Sequence, residues 1–119
     1  MSETVLLHNP RCSKSVAAKR LLEARGVAFE ERRYLEQPLS RDELVQLARR
    51  LGRPPRGWIR SGEAAWAEAG LGPQSSDEAL FDAMAKHPVL MERPILVRGE
   101  RAVVGRPPER VLALLEETR

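Results

Sequence analysis

The first cluster of apolar residues is Val5-Leu6-Leu7. It is bracketed by polar residues, which predicts a short strand over Thr4 to His8. Asn9-Pro10 is a turn signal. From Ser13 to Arg25 the chain is rich in strong helix formers, with Val16, Leu21 and Leu22 among the apolar positions and Gly26 as the C-terminal stop. Val27 to Tyr34 then reads as a second extended stretch that turns Val27, Phe29 and Tyr34 inward. A strand, a helix and a strand in direct succession form a βαβ unit with parallel strands.

The pattern changes at Pro38-Leu39. Ser40-Arg41-Asp42-Glu43 is an S-x-x-E capping box, and Leu44, Leu47, Ala48 and Leu51 follow at helical spacing up to Gly52. Pro54-Pro55 is a stiff link. Trp58-Ile59-Arg60 and Glu63 to Ala69 read as short helical pieces, and Gly70 to Pro73 as a loop. Ser75-Ser76-Asp77-Glu78 caps a further helix with Leu80, Phe81 and Met84 on its inner face, so residues 40 to 86 are expected to be helical, without a convincing strand. Strand signals return at Pro94 to Val97. Arg98-Gly99-Glu100-Arg101 suits a type II′ hairpin turn with glycine at its first central position, and Ala102 to Val104 is the return strand. Gly105-Arg106-Pro107-Pro108 opens a last helix carrying Val111, Leu112, Leu114 and Leu115. The order β-α-β, helical insert, β-β-α predicts an α/β fold with a thioredoxin-like mixed sheet: a parallel pair joined to an antiparallel hairpin. The whole chain, 1–119, is expected to form one such domain, with the insert at about 40–88.

Composition narrows the function classes. The net charge of +3 would suggest nucleic acid if it were clustered, but the basic residues are interspersed with Glu and Asp. Only Arg49, Arg50, Arg53, Arg56 and Arg60 approach a basic stripe, and 4% aromatic residues are too few for a base-stacking platform. No nucleic-acid partner is therefore expected. The lack of a signal-like start and of a long apolar run leads to the expectation of a cytoplasmic protein with no membrane partner. A single cysteine rules out an internal disulfide framework and a Cys-rich zinc site. No metal or bound cofactor is expected.

That cysteine, Cys12, falls on the turn between the first strand and the first helix, where unpaired N–H groups and the helix dipole favour a thiolate. Taking a free thiol from a few per cent to mostly ionised near neutrality requires about 2.7 kcal/mol, and a helix N-terminus typically contributes about 0.3–1 kcal/mol. Nearby groups must supply the rest. His8, Arg11 and Lys14 are candidates by sequence, and Arg93 and Arg106 by the predicted fold. The Ser15 hydroxyl is placed to reach Cys12. Several other residues have plainer readings: His87 is a loop residue, Trp58 and Trp66 are packing residues, and Glu30-Glu31 and Glu116-Glu117 lie on solvated faces.

His8-Asn9-Pro10-Arg11-Cys12-Ser13-Lys14-Ser15, Tyr34-Leu35-Glu36 with Pro38 and Ser40 to Leu44, Glu92-Arg93-Pro94-Ile95 and Gly105-Arg106-Pro107 together resemble the glutaredoxin-dependent arsenate reductases, over about residues 4 to 117. The resemblance implies that Cys12 is the nucleophile that attacks arsenate or a similar oxyanion. Glutathione then enters as co-substrate, and glutaredoxin resolves the mixed disulfide. It also implies that Arg60, Arg93 and Arg106, in W-I-R-S, E-R-P-I and G-R-P-P, bind the oxyanion, and that Pro94 is a cis proline facing the cysteine loop. Planar guanidinium forks suit a tetrahedral oxyanion and neutralise the approach of anion to thiolate. Two other functions share this frame. One is a Spx-type regulator that binds RNA polymerase, which commonly carries Cys-x-x-Cys where this chain has Ser15; the other is a monothiol glutathione-dependent oxidoreductase acting on protein mixed disulfides.

Overall fold

A computed structural model describes residues 3–117. Its central strand, β1 (Thr4–His8), is buried along nearly its whole length: Leu6 and Leu7 have paired strands on both sides, and Leu6, Leu7 and His8 are all buried. Helix α1 (Ser13–Ala24) follows, and Gly26 turns the chain out of it in the left-handed region, at φ 66°. Strand β2 (Glu30–Arg33) pairs with β1 in parallel, from Val5 opposite Glu30 to His8 opposite Arg33. It is half the length of the expected Val27–Tyr34 stretch. Val27 and Phe29 lie before it, and the residues that pair are Glu-Glu-Arg-Arg. The position explains the composition: β2 is an outermost strand of the sheet, where charged side chains reach solvent and discourage pairing with another chain.

The hairpin closes the sheet. Strands β3 (Ile95–Arg98) and β4 (Arg101–Val104) are antiparallel, and β3 also runs antiparallel to β1, giving the order β2-β1-β3-β4. Gly99 takes φ 58° at the first central position and Glu100 keeps a negative φ, as a type II′ turn requires. Helix α5 (Arg110–Glu117) starts later than the Pro107-Pro108 signal suggested. Arg110 N–H donates to the Pro107 carbonyl and Val111 N–H to that of Pro108, so the two prolines form a turn that leads into the helix. Leu6 and Leu96 from the sheet, Ala18 and Leu22 from α1, and Val111 and Leu114 from α5 form one core. At ~1.5–3 kcal/mol for each large apolar side chain removed from water, this cluster is what holds both helices on the sheet.

The chain divides into two compact units, one made of both ends of the chain, up to Gln37 and from Arg93 onward, and the other of Pro38–Glu92. In the second unit, α2 (Arg41–Leu51) has the full capping box: Glu43 N–H donates to Ser40 Oγ and Ser40 N–H to Glu43 Oε1. Helices α3 (Ala64–Glu68) and α4 (Asp77–Lys86) follow, with Ser76 capping α4. The stretch around Trp58 differs from expectation. Pro55–Gly57 is a 3₁₀ turn, and Ile59 bridges to Met91 in antiparallel fashion, flanked by bonds from Arg60 N–H to the Leu90 carbonyl and from Glu92 N–H to the Trp58 carbonyl. Three residues are too few for a helix of their own, and pairing with the segment after α4 satisfies their backbone groups. Leu44, Leu47, Trp58, Leu80, Met84, Leu90 and Met91 are buried in this unit. Among the described residues, no helix is long and apolar enough to cross a membrane.

Candidate active site

The C-terminal end of β1, the start of β3 and the end of β4 lie at one edge of the sheet, because β3 runs against both of its neighbours. One step beyond the β3–β4 ladder, Gly105 N–H donates to the Pro94 carbonyl at 2.8 Å, continuing the register that sets Ile95 opposite Val104. Arg93 and Arg106 each lie one residue beyond this bonded pair. The loop after β1 that carries Cys12 leaves from this same edge.

Cys12 is the N-cap of α1, half-buried, with extended backbone angles of φ −98° and ψ 121°. Its own N–H is used, donating to the Asn9 carbonyl at 3.0 Å, and its side chain does not cap the helix. The following N–H groups of the first turn have no i−4 carbonyl within the helix, so the thiol stands where backbone donors and the positive end of the dipole converge. Arg11 and Lys14 flank it with exposed side chains.

Two expected roles change in the structure. The Ser15 side chain is fully buried, and its Oγ accepts the Asn9 N–H at 3.0 Å and lies 2.6 Å from His8 Nδ1. Among the described residues, its hydrogen-bond partners are therefore His8 and Asn9, and the expected reach to Cys12 is not made. The helical geometry explains this: Ser15 faces inward on α1, toward the strand end. His8 is only 2% exposed. Burial pushes its imidazole below the ordinary histidine value; Glu31 opposes the shift, while Lys19 and Arg33 reinforce it. His8 is thus neutral near pH 7, so it shares a hydrogen bond with Ser15 there and supplies no positive charge.

Asn9, read from sequence only as half of a turn signal, is the hub of the loop. Its carbonyl takes the Cys12 N–H, its Oδ1 takes the Arg11 N–H at 3.0 Å, and its N–H goes to Ser15. The signal was present, since Asn side chains commonly bond backbone two residues on.

Arg93 and Arg106 come together at the sheet edge. Both precede cis prolines, at Arg93-Pro94 and Arg106-Pro107. Arg106 Nη1 donates to the Arg93 carbonyl at 3.1 Å. The Nε and Nη1 groups of Arg93 are buried and have no hydrogen-bond partner among the described residues. Leaving buried donors on a charged group unpaired costs about 1–3 kcal/mol each, an expense that a bound anion would relieve. Arg60 belongs to the other unit. There its Nη1 pairs with Glu63, and its Nε lies 3.8 Å from Glu92 Oε1. Among the described residues, no three His, Cys, Asp or Glu side chains are grouped to hold a metal ion.

The arrangement is a half-exposed thiol at a helix start, on the same sheet edge as a guanidinium with unpaired buried donors. A thiol and a guanidinium are the groups that nucleophilic attack on a small oxyanion would use. The chain is similar to known proteins along nearly its whole length. A model of the ArsC family matches residues 7–114. A Neisseria meningitidis protein named arsenate reductase is 44% identical over 117 residues, covering 97% of this chain and all of that one. An Escherichia coli protein, named as uncharacterised, is 44% identical over 112 residues, covering 92% of this chain and 94% of its own length. Among solved structures, an arsenate reductase from Vibrio cholerae superposes with a TM-score of 0.88 at 46% identity, covering 92% of this chain and 95% of that one.

Proposed function

This chain belongs to the ArsC family of arsenate reductases, and from that premise we propose that it reduces arsenate, or a closely similar oxyanion, with Cys12 as the nucleophile, glutathione as co-substrate and glutaredoxin as the resolving partner. The observation that carries the reading is the Arg93 guanidinium, with Nε and Nη1 buried and unpaired at the sheet edge from which the Cys12 loop leaves. Arg93 and Arg106 hold the oxyanion. Arg60, which the resemblance offers as a third oxyanion ligand, lies in the other unit and there shares its charge with Glu63 and Glu92.

The Cys12 thiolate attacks arsenic and an arsenate oxygen leaves as water, giving a thiolate–arsenate adduct. The first turn of α1 and the exposed Arg11 and Lys14 stabilise the thiolate by charge, and Ser15 and neutral His8 hold the loop from below. Glutathione thiol then enters. Its sulfur and that of Cys12 each give up one electron and become a mixed disulfide, arsenic gains two, and arsenite departs. Glutaredoxin exchanges its own thiol onto the glutathione sulfur and returns Cys12 reduced. Arsenate-dependent NADPH oxidation in a coupled assay with glutathione, glutathione reductase and glutaredoxin tests the reading. Wild type should show it and Cys12→Ser should not. Wild-type rates that do not depend on arsenate would overturn it.

A further inference from the structure

Of the eight glycines in the chain, Gly105 is the one where an added Cβ would meet another side chain closer than 3.0 Å. That carbon would lie 2.9 Å from Pro94 Cγ and 3.2 Å from Val111 Cγ1. Its backbone is not in the left-handed region, unlike Gly26, Gly52, Gly70 and Gly99, so the requirement is for space rather than for an unusual φ. Neither neighbour can yield cheaply. Pro94 is a buried ring held by its own peptide bonds, and Val111 is fully buried in the core. Gly105 N–H is also bonded to the Pro94 carbonyl, and the next residue, Arg106, donates to the Arg93 carbonyl. Backbone contact at Gly105 therefore sets where the Arg93-Pro94 step lies.

We propose that Gly105 is a positioning residue for oxyanion binding: its missing side chain lets the β4 backbone close onto Pro94 and so fixes the Arg93 guanidinium in place. This rests on the reading of Arg93 as an oxyanion ligand. To restore an ordinary carbon–carbon separation of about 3.5–4.0 Å, Gly105→Ala must move the Pro94 ring by roughly 0.6–1 Å. Displacements of that size at a binding group cost about ten- to a hundredfold.

The test measures arsenate binding by thermal shift and, separately, turnover in the glutathione-coupled assay, for wild type, Gly105→Ala and Gly62→Ala. Gly62 has open space around it and no positive φ. Gly105→Ala should raise the arsenate KM about tenfold or more, while the glutathione KM and the alkylation rate of Cys12 by iodoacetamide stay near wild type. Gly62→Ala should change none of these. If Gly105→Ala does not fold, Gly105→Ala with Val111→Ala, which removes the 3.2 Å contact, carries the test. A folded variant whose arsenate KM stays within twofold overturns the proposal. So does a uniform change in arsenate KM, glutathione KM and alkylation, which would mark a general loss of structure. Wild type that binds arsenate without turning it over, with binding weakened in Gly105→Ala, upholds the positioning role and removes the reductase reading. Wild type that does not bind arsenate overturns both.

Discussion

Replacing Arg93 by methionine should move activity and stability in opposite directions. The side chain carries two buried donors with no partner among the described residues. Methionine keeps most of the length and apolar contact of the arginine stem and removes those donors. Each unsatisfied charged donor costs about 1–3 kcal/mol in the folded protein, and replacing buried charges with apolar side chains is often neutral or stabilising. Arg93→Met should therefore gain about 1–2 kcal/mol, with part of the benefit lost to imperfect packing. For a chain of this size that is roughly a 4–8 °C rise in Tm. Arsenate should stabilise wild type further, by about 2.7 kcal/mol at a hundredfold excess over Kd, and this increment should be largely lost in Arg93→Met. Turnover should fall with it. Arg93→Lys, which keeps the charge and loses the fork, should reduce kcat/KM by about ten- to a hundredfold, while Arg49→Lys, exposed on α2, should match wild type. Differential scanning calorimetry with and without arsenate, together with steady-state kinetics, separates the effects. If Arg93→Met loses several degrees without ligand and keeps its arsenate-dependent shift, the guanidinium is a structural element and the oxyanion assignment is wrong.

Cys12→Ser should abolish arsenate reduction and leave the circular dichroism spectrum and Tm near wild type, since the thiol is half-buried and caps nothing; arsenite formation above background would refute its role as nucleophile. Ser15→Ala should destabilise by about 1–3 kcal/mol in urea unfolding, because it leaves the Asn9 N–H and His8 Nδ1 without their common partner, and a change under about 0.5 kcal/mol would show that the loop does not depend on the hydroxyl. His8 should give the fold a pH dependence. Its folded-state value lies below the ordinary 6.5, so on acidification the unfolded chain takes up the proton first. The stability is therefore present above 6.5 and lost as pH falls through that value toward the folded one. Glu31, also lowered, by Lys19 and Arg33, contributes stability that is lost only below the ordinary 4.5. Urea unfolding between about pH 7.5 and pH 5.5 should lose less stability in His8→Gln than in wild type; equal losses would place the imidazole in contact with water.

The readable parts of the chain were those where local chemistry decides the outcome. Ser40 with Glu43 announced α2, and Arg98-Gly99-Glu100-Arg101 announced the hairpin turn, because capping and positive φ are settled within four residues. The errors fall where a partner distant in sequence decides. Val27 and Phe29 promised an alternating strand, yet the edge position gave the pairing to Glu30–Arg33. Trp58 to Arg60 lacked any sign of the segment around Met91 with which Ile59 pairs. The site follows the same division. Cys12 was legible as the sole cysteine on a strand-to-helix turn, but burial decided its neighbours' roles. His8 beside Cys12 looks like a cation in sequence; sealed at the end of β1 it is neutral and bonded to Ser15. Gly105 reads only as a turn before a proline pair, and nothing local says that Pro94 and Val111 close on it. Arginine was hardest to weigh, because seventeen of the twenty basic residues are Arg and type alone carries little information. What distinguishes Arg93 is that both its Nε and its Nη1 are buried without a partner among the described residues, whereas Arg98 leaves only its Nε so and donates through Nη1 to Thr4 Oγ1. Arg41 bonds Glu78 and Asp82, Arg53 bonds the Gly57 carbonyl, Arg56 bonds that of Ser75, and Arg60 pairs with Glu63. Folding thus uses these guanidinium groups internally, while at the sheet edge beside the Cys12 loop it holds one with buried donors still to be satisfied.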